Sequence, residues 1–275
     1  MRAMRIHRYG DASEIREEDV PRPVPGPGEV LVRVEATSFN PSDLGLRRGL
    51  LRDVFPIDLP VTLGGEVAGT VVETGERVIG RAFGAAAEYV AVPARSLVAA
   101  PTAVPLAHAA VLPIAGVTAW QAVFEHAKIT AGRRVLINGA TGAVGQIAVQ
   151  LARHAGAHVI APARRPGADL SEVVDQVGAP VDAILHLAPV AAGGVVSLLR
   201  PGGVLVSITE RVPVPGVHFV TRDDAGDLGG LVALVDAGVV QLDVLTRPLA
   251  DLALVHREAE AGLLRGKTVL VIRGR

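Results

Sequence analysis

Arg134-Val-Leu-Ile-Asn-Gly-Ala-Thr-Gly-Ala-Val-Gly-Gln-Ile-Ala-Val-Gln-Leu-Ala-Arg-His154 is the stretch whose reading decides the fold. Arg134 to Asn138 is short, apolar and bounded by glycine, which predicts a buried strand. Gln146 to His154 carries Ile147, Val149, Leu151 and Ala152 at apolar positions and predicts a helix. The turn between them, Gly139-Ala-Thr-Gly142-Ala-Val-Gly145, aims free N–H groups and the positive end of the helix dipole at one point. That point suits a diphosphate. Gly142 allows the backbone to approach the phosphates, and Gly145 allows the helix to pack closely on the strand. Ala140 stands where the strict fingerprint has its first glycine, leaving A-x-G-x-x-G, a pattern that a ligand-free strand-to-helix turn also satisfies.

Ala157-His-Val-Ile-Ala-Pro-Ala163 follows as a second strand and completes a βαβ unit. An acidic residue gripping a ribose 2′-hydroxyl belongs roughly 20 residues beyond the glycines. None is there; the strand ends in Ala163-Arg164-Arg165. A guanidinium fork binds a 2′-phosphate bidentately, so this end argues for NADPH over NADH, although two arginines in a solvated loop read the same way.

The 275 residues allow one large domain or two ordinary ones, and 49% hydrophobic content supports a sizeable core. With 27 basic against 28 acidic residues there is no electrostatic case for nucleic acid or an anionic membrane. Cysteine is absent, which excludes disulfides, thiol nucleophiles and cysteine-ligated metals. Met1 to Arg8 lacks the apolar core of a signal peptide and no run of membrane-spanning length stands out, so the default expectation is a cytoplasmic protein.

In chain order, Met4–His7 predicts a strand and the proline-rich segment Glu17–Gly28 an extended connection. Glu29–Ala36 alternates as a half-buried strand. Asn40-Pro-Ser-Asp43 opens a short helix with Ser42 or Asp43 as N-cap. Val61–Thr74 and Glu88–Val92 add strands, so the first hundred residues form a β-rich module. Ala109–His126 is helical on either side of Pro113 and Gly116. Beyond the βαβ unit come a strand in Pro180–Pro189, a helix Ala192–Leu199 stopped by Arg200-Pro-Gly-Gly203, and a strand Val204–Ile208. Next are a helix Leu228–Ala237, a strand near Val240–Leu245, a helix Ala250–Gly262 and a strand Lys267–Ile272. Alternating strands and helices imply an α/β fold with a parallel sheet.

Taken together, Pro25-Gly-Pro-Gly-Glu-Val-Leu-Val-Arg-Val34, Asn40-Pro-Ser-Asp43, Gly64-Gly-Glu-Val-Ala-Gly69, Leu112-Pro-Ile-Ala-Gly-Val-Thr-Ala-Trp120, the glycine loop, Leu199-Arg-Pro-Gly-Gly203 and Arg265-Gly-Lys-Thr-Val-Leu270 resemble the medium-chain dehydrogenase/reductase superfamily. The branch they resemble is its zinc-free quinone-oxidoreductase (zeta-crystallin-like) one. The resemblance implies a GroES-like β-rich domain, residues 1–104 and 241–275, and a Rossmann domain, residues 105–240. It implies a zinc-independent, NADPH-dependent enzyme that transfers hydride to a quinone or α,β-unsaturated carbonyl. Residue by residue, it puts Asn40 near the nicotinamide, as the one catalytic candidate, and Thr118 on the ribose or phosphate. It implies a cradle for the diphosphate in Ala140, Thr141, Gly142, Ala143 and Val144. Leu187, Ala188, Ser207 and Ile208, at the carboxyl ends of parallel strands, and Phe219 and Val220, near the nicotinamide, complete the cofactor set. Each has a plain structural reading too: an Asx turn at Asn40, a backbone-bonded hydroxyl at Thr118, sheet packing for the strand ends, and core cover for Phe219. A homodimer paired through Rossmann edge strands is implied as well, with Pro213–Val220 as the contact.

The departures are specific. Gly64-Gly65-Glu66 stands where zinc-binding members carry Gly-His-Glu, and with no cysteine a tetrahedral zinc site cannot be assembled. Gly45 stands nearest the position of a family tyrosine that donates a proton, while the two tyrosines are Tyr9 and Tyr89. The chain is short at Glu73–Phe83 and between Arg165 and Pro180, which predicts a shortened Rossmann sheet with a shallower adenine pocket. His186 stands where the family has an acid, either as a cofactor contact or as a core histidine. A second class stays open: a redox-inactive member serving as a binding, regulatory or biosynthetic auxiliary protein.

Overall fold

The computed structural model describes residues 1–162, 177–188, 193–212 and 216–272. Strands β1 (Arg2–Ile6), β2 (Arg16–Asp19) and β3 (Glu29–Ser38) lead to helix α1 (Pro41–Arg47). Strands β4 (Val61–Thr62), β5 (Glu66–Val71), β6 (Arg77–Arg81), β7 (Tyr89–Pro93) and β8 (Leu97–Ala99) precede helix α2 (Leu106–His126). Then come β9 (Arg134–Asn138), α3 (Ala143–His154), β10 (His158–Ile160), β11 (Val181–His186), α4 (Gly193–Val196), β12 (Leu199–Ser207) and β13 (Gly216–His218). Helix α5 (Ala225–Asp236), strand β14 (Val244–Pro248), helix α6 (Leu252–Glu260) and strand β15 (Lys267–Val271) close the described chain.

Packing divides the chain into two compact units. One is Met1–Ile114, Asp223–Gly238 and the chain from Leu242 onward; the other is Ala115–Arg222 with Val239–Gln241. In the first unit β2-β1-β4 form a small antiparallel sheet, and β14-β15-β3-β5-β6-β8, with β7 also paired to β3, form a larger one. Among the described strands there, only β14 and β15 run parallel. A bulge between Val34 and Ala36 lets β3 pair with β7 over its first half and with β15 at its end. Helix α5 belongs to this unit: the Asp236 carboxylate accepts from Thr102 N–H (2.7 Å) and Ala103 N–H (2.8 Å).

In the second unit β10-β9-β11-β12-β13 form a five-stranded, all-parallel sheet. Every residue of β11 is buried, as both faces of such a sheet demand. Leu136, Ile184, Val195 and Leu205 form its core. Asp182 is tolerated in that strand because its carboxylate accepts from Arg134 N–H (2.8 Å) and pairs with Arg200 (2.5 Å).

Several expectations need correcting. The N-cap of α1 is Asn40, not Ser42 or Asp43: Asn40 is extended (φ −125°) and its carbonyl accepts from Asp43 N–H at 2.9 Å. Asp43 sits at N3 and reaches back, accepting from Asn40 N–H at 2.8 Å. Val61–Thr74 is two strands, because Gly64 at φ +97° turns the chain between β4 and β5. Arg200-Pro-Gly-Gly203 continues β12 rather than interrupting it, with the register shift taken up opposite β11 between Val181 and Ala183. Helix α2 is not broken at Pro113; it widens into π turns over Leu112–Gly116 and Gln121–His126. Its 21 residues are also long and apolar enough to cross a membrane, contrary to the expectation of no such run, and 78% of that window is buried within the protein. The last crossover strand lies at Val244–Pro248, a few residues later than the sequence suggests.

Candidate functional site

Helix α3 starts at Ala143, three residues earlier than its apolar pattern indicates, so Ala143, Val144 and Gly145 form its first turn. No side chain caps it, and among the described residues no acceptor serves these three N–H groups. The first backbone bond is Gln146 N–H to Gly142 O (2.9 Å). Gly139 takes φ +95°, and a Cβ there would lie 2.9 Å from Ala188 N. A Cβ on Gly145 would lie 2.1 Å from Gly139 O, so α3 packs on the loop with no room for a side chain. At Gly142, among the described residues, the only atom a Cβ would meet is Gly139 O at 3.3 Å, so they leave that face open. Thr141 and Gly142 are exposed. An uncapped helix N-terminus behind an unfilled glycine turn is chemically suited to a dinucleotide diphosphate.

The carboxyl ends of the strands gather beside this loop. Leu187 N–H donates to Asn138 O (2.8 Å), Ile208 N–H to His186 O (3.3 Å) and Phe219 N–H to Ser207 O (3.2 Å). Leu187, Ala188 and Ile208 are half-buried at this edge, with Ala188 against Gly139. Ser207 is wholly buried and its hydroxyl oxygen accepts from Thr209 N–H (3.3 Å) and Glu210 N–H (3.2 Å), closing the turn after β12. Thr118 Oγ1 lies 2.5 Å from Thr221 Oγ1. Phe219 is buried against the His126 ring (centroids 4.2 Å), whereas Val220 is 75% exposed. His186 is fully buried; Asn138 Nδ2 donates to its Nδ1 (3.0 Å), which leaves the proton on Nε2, 3.8 Å from Glu210. Ala163, Arg164 and Arg165 lie outside the described residues.

The first unit holds a second constellation, around Asn40. Its Nδ2 donates to Glu66 Oε1 (2.8 Å) and Ser38 O (3.4 Å), and its Oδ1 accepts from Lys267 Nζ (2.6 Å). Lys267 also donates to Phe39 O (2.9 Å) and to Glu66 Oε1 (3.3 Å). The Glu66 carboxylate accepts further from the Ser38 hydroxyl and from Ile114 N–H (2.8 Å). Glu66 is fully buried and Lys267 is 5% exposed, so this is an interior ion pair with its hydrogen-bonding capacity met from β3, β5, β15 and α2. Both Asn40 amide hydrogens are engaged, which makes its side chain a fixed part of the cluster.

Beside the cluster opens a cavity of about 560 Å³, lined mostly by apolar side chains together with Ser42, Ser96, Asp43 and Arg81. The half-buried Asp43 carboxyl is pushed up to about 7 by desolvation, against the pull of Asn40 N–H and the charges of Lys267 and Arg81. Glu66 pushes in the same direction as burial. Gly65 keeps the cavity open at this point: a Cβ there would touch Ile114 Cδ1 at 3.2 Å and lie 4.0 Å from Asp43 Oδ1. Sequence reasoning singled out Asn40 and missed Glu66, Lys267, Asp43 and Arg81 as site residues. The one local signal was a charged residue opening an otherwise apolar strand, Glu66 in β5 and Lys267 in β15.

Residues 26–102 match the alcohol dehydrogenase GroES-like domain family. The chain is 34% identical over 224 residues to the chloroplastic quinone-oxidoreductase QR1 of Triphysaria versicolor, covering 68% of each chain. Against the chloroplastic quinone-oxidoreductase homolog of Spinacia oleracea identity is 35% over 180 residues, and the match covers 58% of this chain and only 55% of that protein's length. Among solved structures, the quinone oxidoreductase from Coxiella burnetii superposes with a TM-score of 0.86 at 26% identity, covering 99% of both chains. A mycobacterial protein solved in complex with NADPH superposes with a TM-score of 0.85 at 25% identity, covering 98% of this chain and all of that one. Parallel sheet, glycine turn and GroES-like strands therefore have one common source: the chain belongs to the medium-chain dehydrogenase/reductase superfamily, in its quinone-oxidoreductase branch.

Proposed function

We propose that this chain is an NADPH-dependent reductase of a small apolar quinone or α,β-unsaturated carbonyl, working without zinc. The observation that carries the reading is the open glycine turn in front of the uncapped first turn of α3. In this reading Ala140, Thr141, Gly142, Ala143 and Val144 hold the diphosphate, with Leu187, Ala188 and Ile208 along the edge of the dinucleotide. Arg164 and Arg165 grip the 2′-phosphate. Thr118, Phe219 and Val220 belong to the nicotinamide side. Ser207 contributes through the backbone, since its hydroxyl serves its own turn. Bound NADPH supplies the hydride; the protein orients it and excludes water. Asn40, held by Lys267 and Glu66, acts as a rigid positioning group.

Zinc independence rests on the donor set: Gly65 offers no imidazole, no cysteine exists to offer a thiolate, and the Lys267 ammonium supplies the positive charge beside Glu66. The domain division at 104/105 and 240/241, drawn on the family's chain order rather than on the packing of α5, a cytoplasmic location and a homodimer joined through Pro213–Val220 are parts of the same proposal. The test is a fluorescence titration with NADPH and with NADH, followed by turnover of a small quinone. The reading expects NADPH to bind at least about tenfold more tightly than NADH, a difference of about 1.4 kcal/mol. An R164A/R165A double substitution should erase the difference. No NADPH binding at millimolar concentration overturns the proposal.

A further inference from the structure

The cavity beside Asp43 has walls built from Leu51, Val54, Phe55, Ile57, Phe83 and Ile114, and among the described residues its charged lining is Asp43 and Arg81. Arg81, the last residue of β6, is half-buried there. Among the described residues its guanidinium has no hydrogen-bond or ion-pair partner, and it acts on Asp43 through space without pairing to it. A half-buried fork-shaped cation that no protein group pairs, set in a largely apolar wall, is favourable for a ligand that brings a matching oxygen pair. With Asp43 protonated the lining carries one net positive charge, so one negative charge balances it. At about 560 Å³ the cavity is of ordinary small-ligand size.

We propose that this cavity takes an apolar molecule bearing a single carboxylate, and that Arg81 is the residue that selects it. The proposal rests on the reductase reading only for the conjugated carbonyl such a molecule would carry; the carboxylate preference stands on Arg81 and the cavity. Binding couples to protons: the bound carboxylate and an ionised Asp43 repel, so the ligand favours the protonated acid. The groups facing Asp43 are Asn40 N–H, Lys267, Glu66 and Arg81, of which Glu66 adds to that repulsion and the two cations oppose it.

Calorimetry on the full chain without nicotinamide tests this, using benzalacetone and para-carboxybenzalacetone as probes. The expected result is at least about tenfold tighter binding of the carboxylate, equivalent to about 1.4 kcal/mol. That preference should vanish in R81Q and survive in part in R81K, which keeps the charge but not the fork. It should also weaken as pH rises through 7 in the wild type and lose that pH dependence in D43N. Equal binding of the two probes, a preference that survives R81Q, tighter binding of a dianionic para-phosphonate analogue, or no binding of either probe at millimolar concentration overturns the proposal. NADPH oxidation with neutral benzalacetone is measured separately on the wild type. Its failure removes the reductase reading and leaves the calorimetric ratio to decide the carboxylate.

Discussion

Replacing Lys267 with methionine is the sharpest probe of the buried cluster in the first unit. The side chain is 5% exposed, and its ammonium donates to Phe39 O at 2.9 Å, Asn40 Oδ1 at 2.6 Å and Glu66 Oε1 at 3.3 Å. Methionine keeps the volume and removes all three bonds. Glu66, fully buried, keeps Ser38, Asn40 and Ile114 as donors but loses its counter-charge. Breaking one side of a buried pair in this way costs about 3–5 kcal/mol. At about 2 °C per kcal/mol for a chain of this size, the melting temperature should fall by about 6–10 °C. The assay has a built-in control: Tyr9 and Tyr89 lie in the first unit and Trp120, the only tryptophan, in the second. Tyrosine emission should report the early transition, with tryptophan emission as the comparison. In the K267M/E66Q double variant the buried charge is gone, so its loss should be well below the sum of the single losses. A K267M shift under about 2 °C, worth about 1 kcal/mol, or strictly additive single substitutions, would refute the reasoning.

Four further outcomes follow from the same structure. His256 is held at about 3 by burial and by the neighbouring Arg47 charge, below its ordinary 6.5, so it stays neutral in the folded protein. The unfolded chain takes up the proton first, so stability is full above 6.5 and falls as pH drops towards 3; H256F should flatten urea midpoints in that window. Asp43 has the opposite sign: with its folded value at about 7 against 3.8, its contribution is full below 3.8 and lost as pH rises through 7. D43N should therefore gain on the wild type as pH rises from 3.8 to 7 and hold that gain above it, at no more than about 1.4 kcal/mol per pH unit, as read by urea midpoints. G145A forces a Cβ to 2.1 Å from Gly139 O and should destabilise the protein by about 1–3 kcal/mol as well as abolish NADPH binding, by thermal melt and fluorescence titration. G142A meets Gly139 O at only 3.3 Å and should fold normally while weakening NADPH binding, because the methyl projects into the open face.

The strand-turn-helix unit was legible because its determinants are contiguous. An apolar pentapeptide, a glycine turn and a helical apolar stripe lie within Arg134–His154, and the parallel sheet follows from their repetition along the chain. What failed locally failed where one residue has two readings. Asn40 caps α1 although Ser42 and Asp43 are equally good cap types, because the pairing of β3 ends at Ser38 and leaves Asn40 extended. Pro113 reads as a break, yet α2 absorbs it in a π turn. Arg200-Pro-Gly-Gly203 reads as a stop, yet β12 carries it as extra residues between Leu199 and Val204, set against only Val181 to Ala183 of β11.

The amino-acid sequence by itself determined the family, the βαβ unit and the likeness of the glycine turn to a dinucleotide cradle, all of which depend on neighbours within a few turns of chain. Only the tertiary structure decided that Ser38, Asn40, Glu66 and Lys267 form one buried ion-pair cluster, since Lys267 and Glu66 are 201 residues apart in the chain. It alone placed Asp43 and Arg81 on one cavity wall, where desolvation and an unanswered charge alter what each can do. Burial and through-space charge are properties of where side chains end up, and no spacing along a chain encodes them directly.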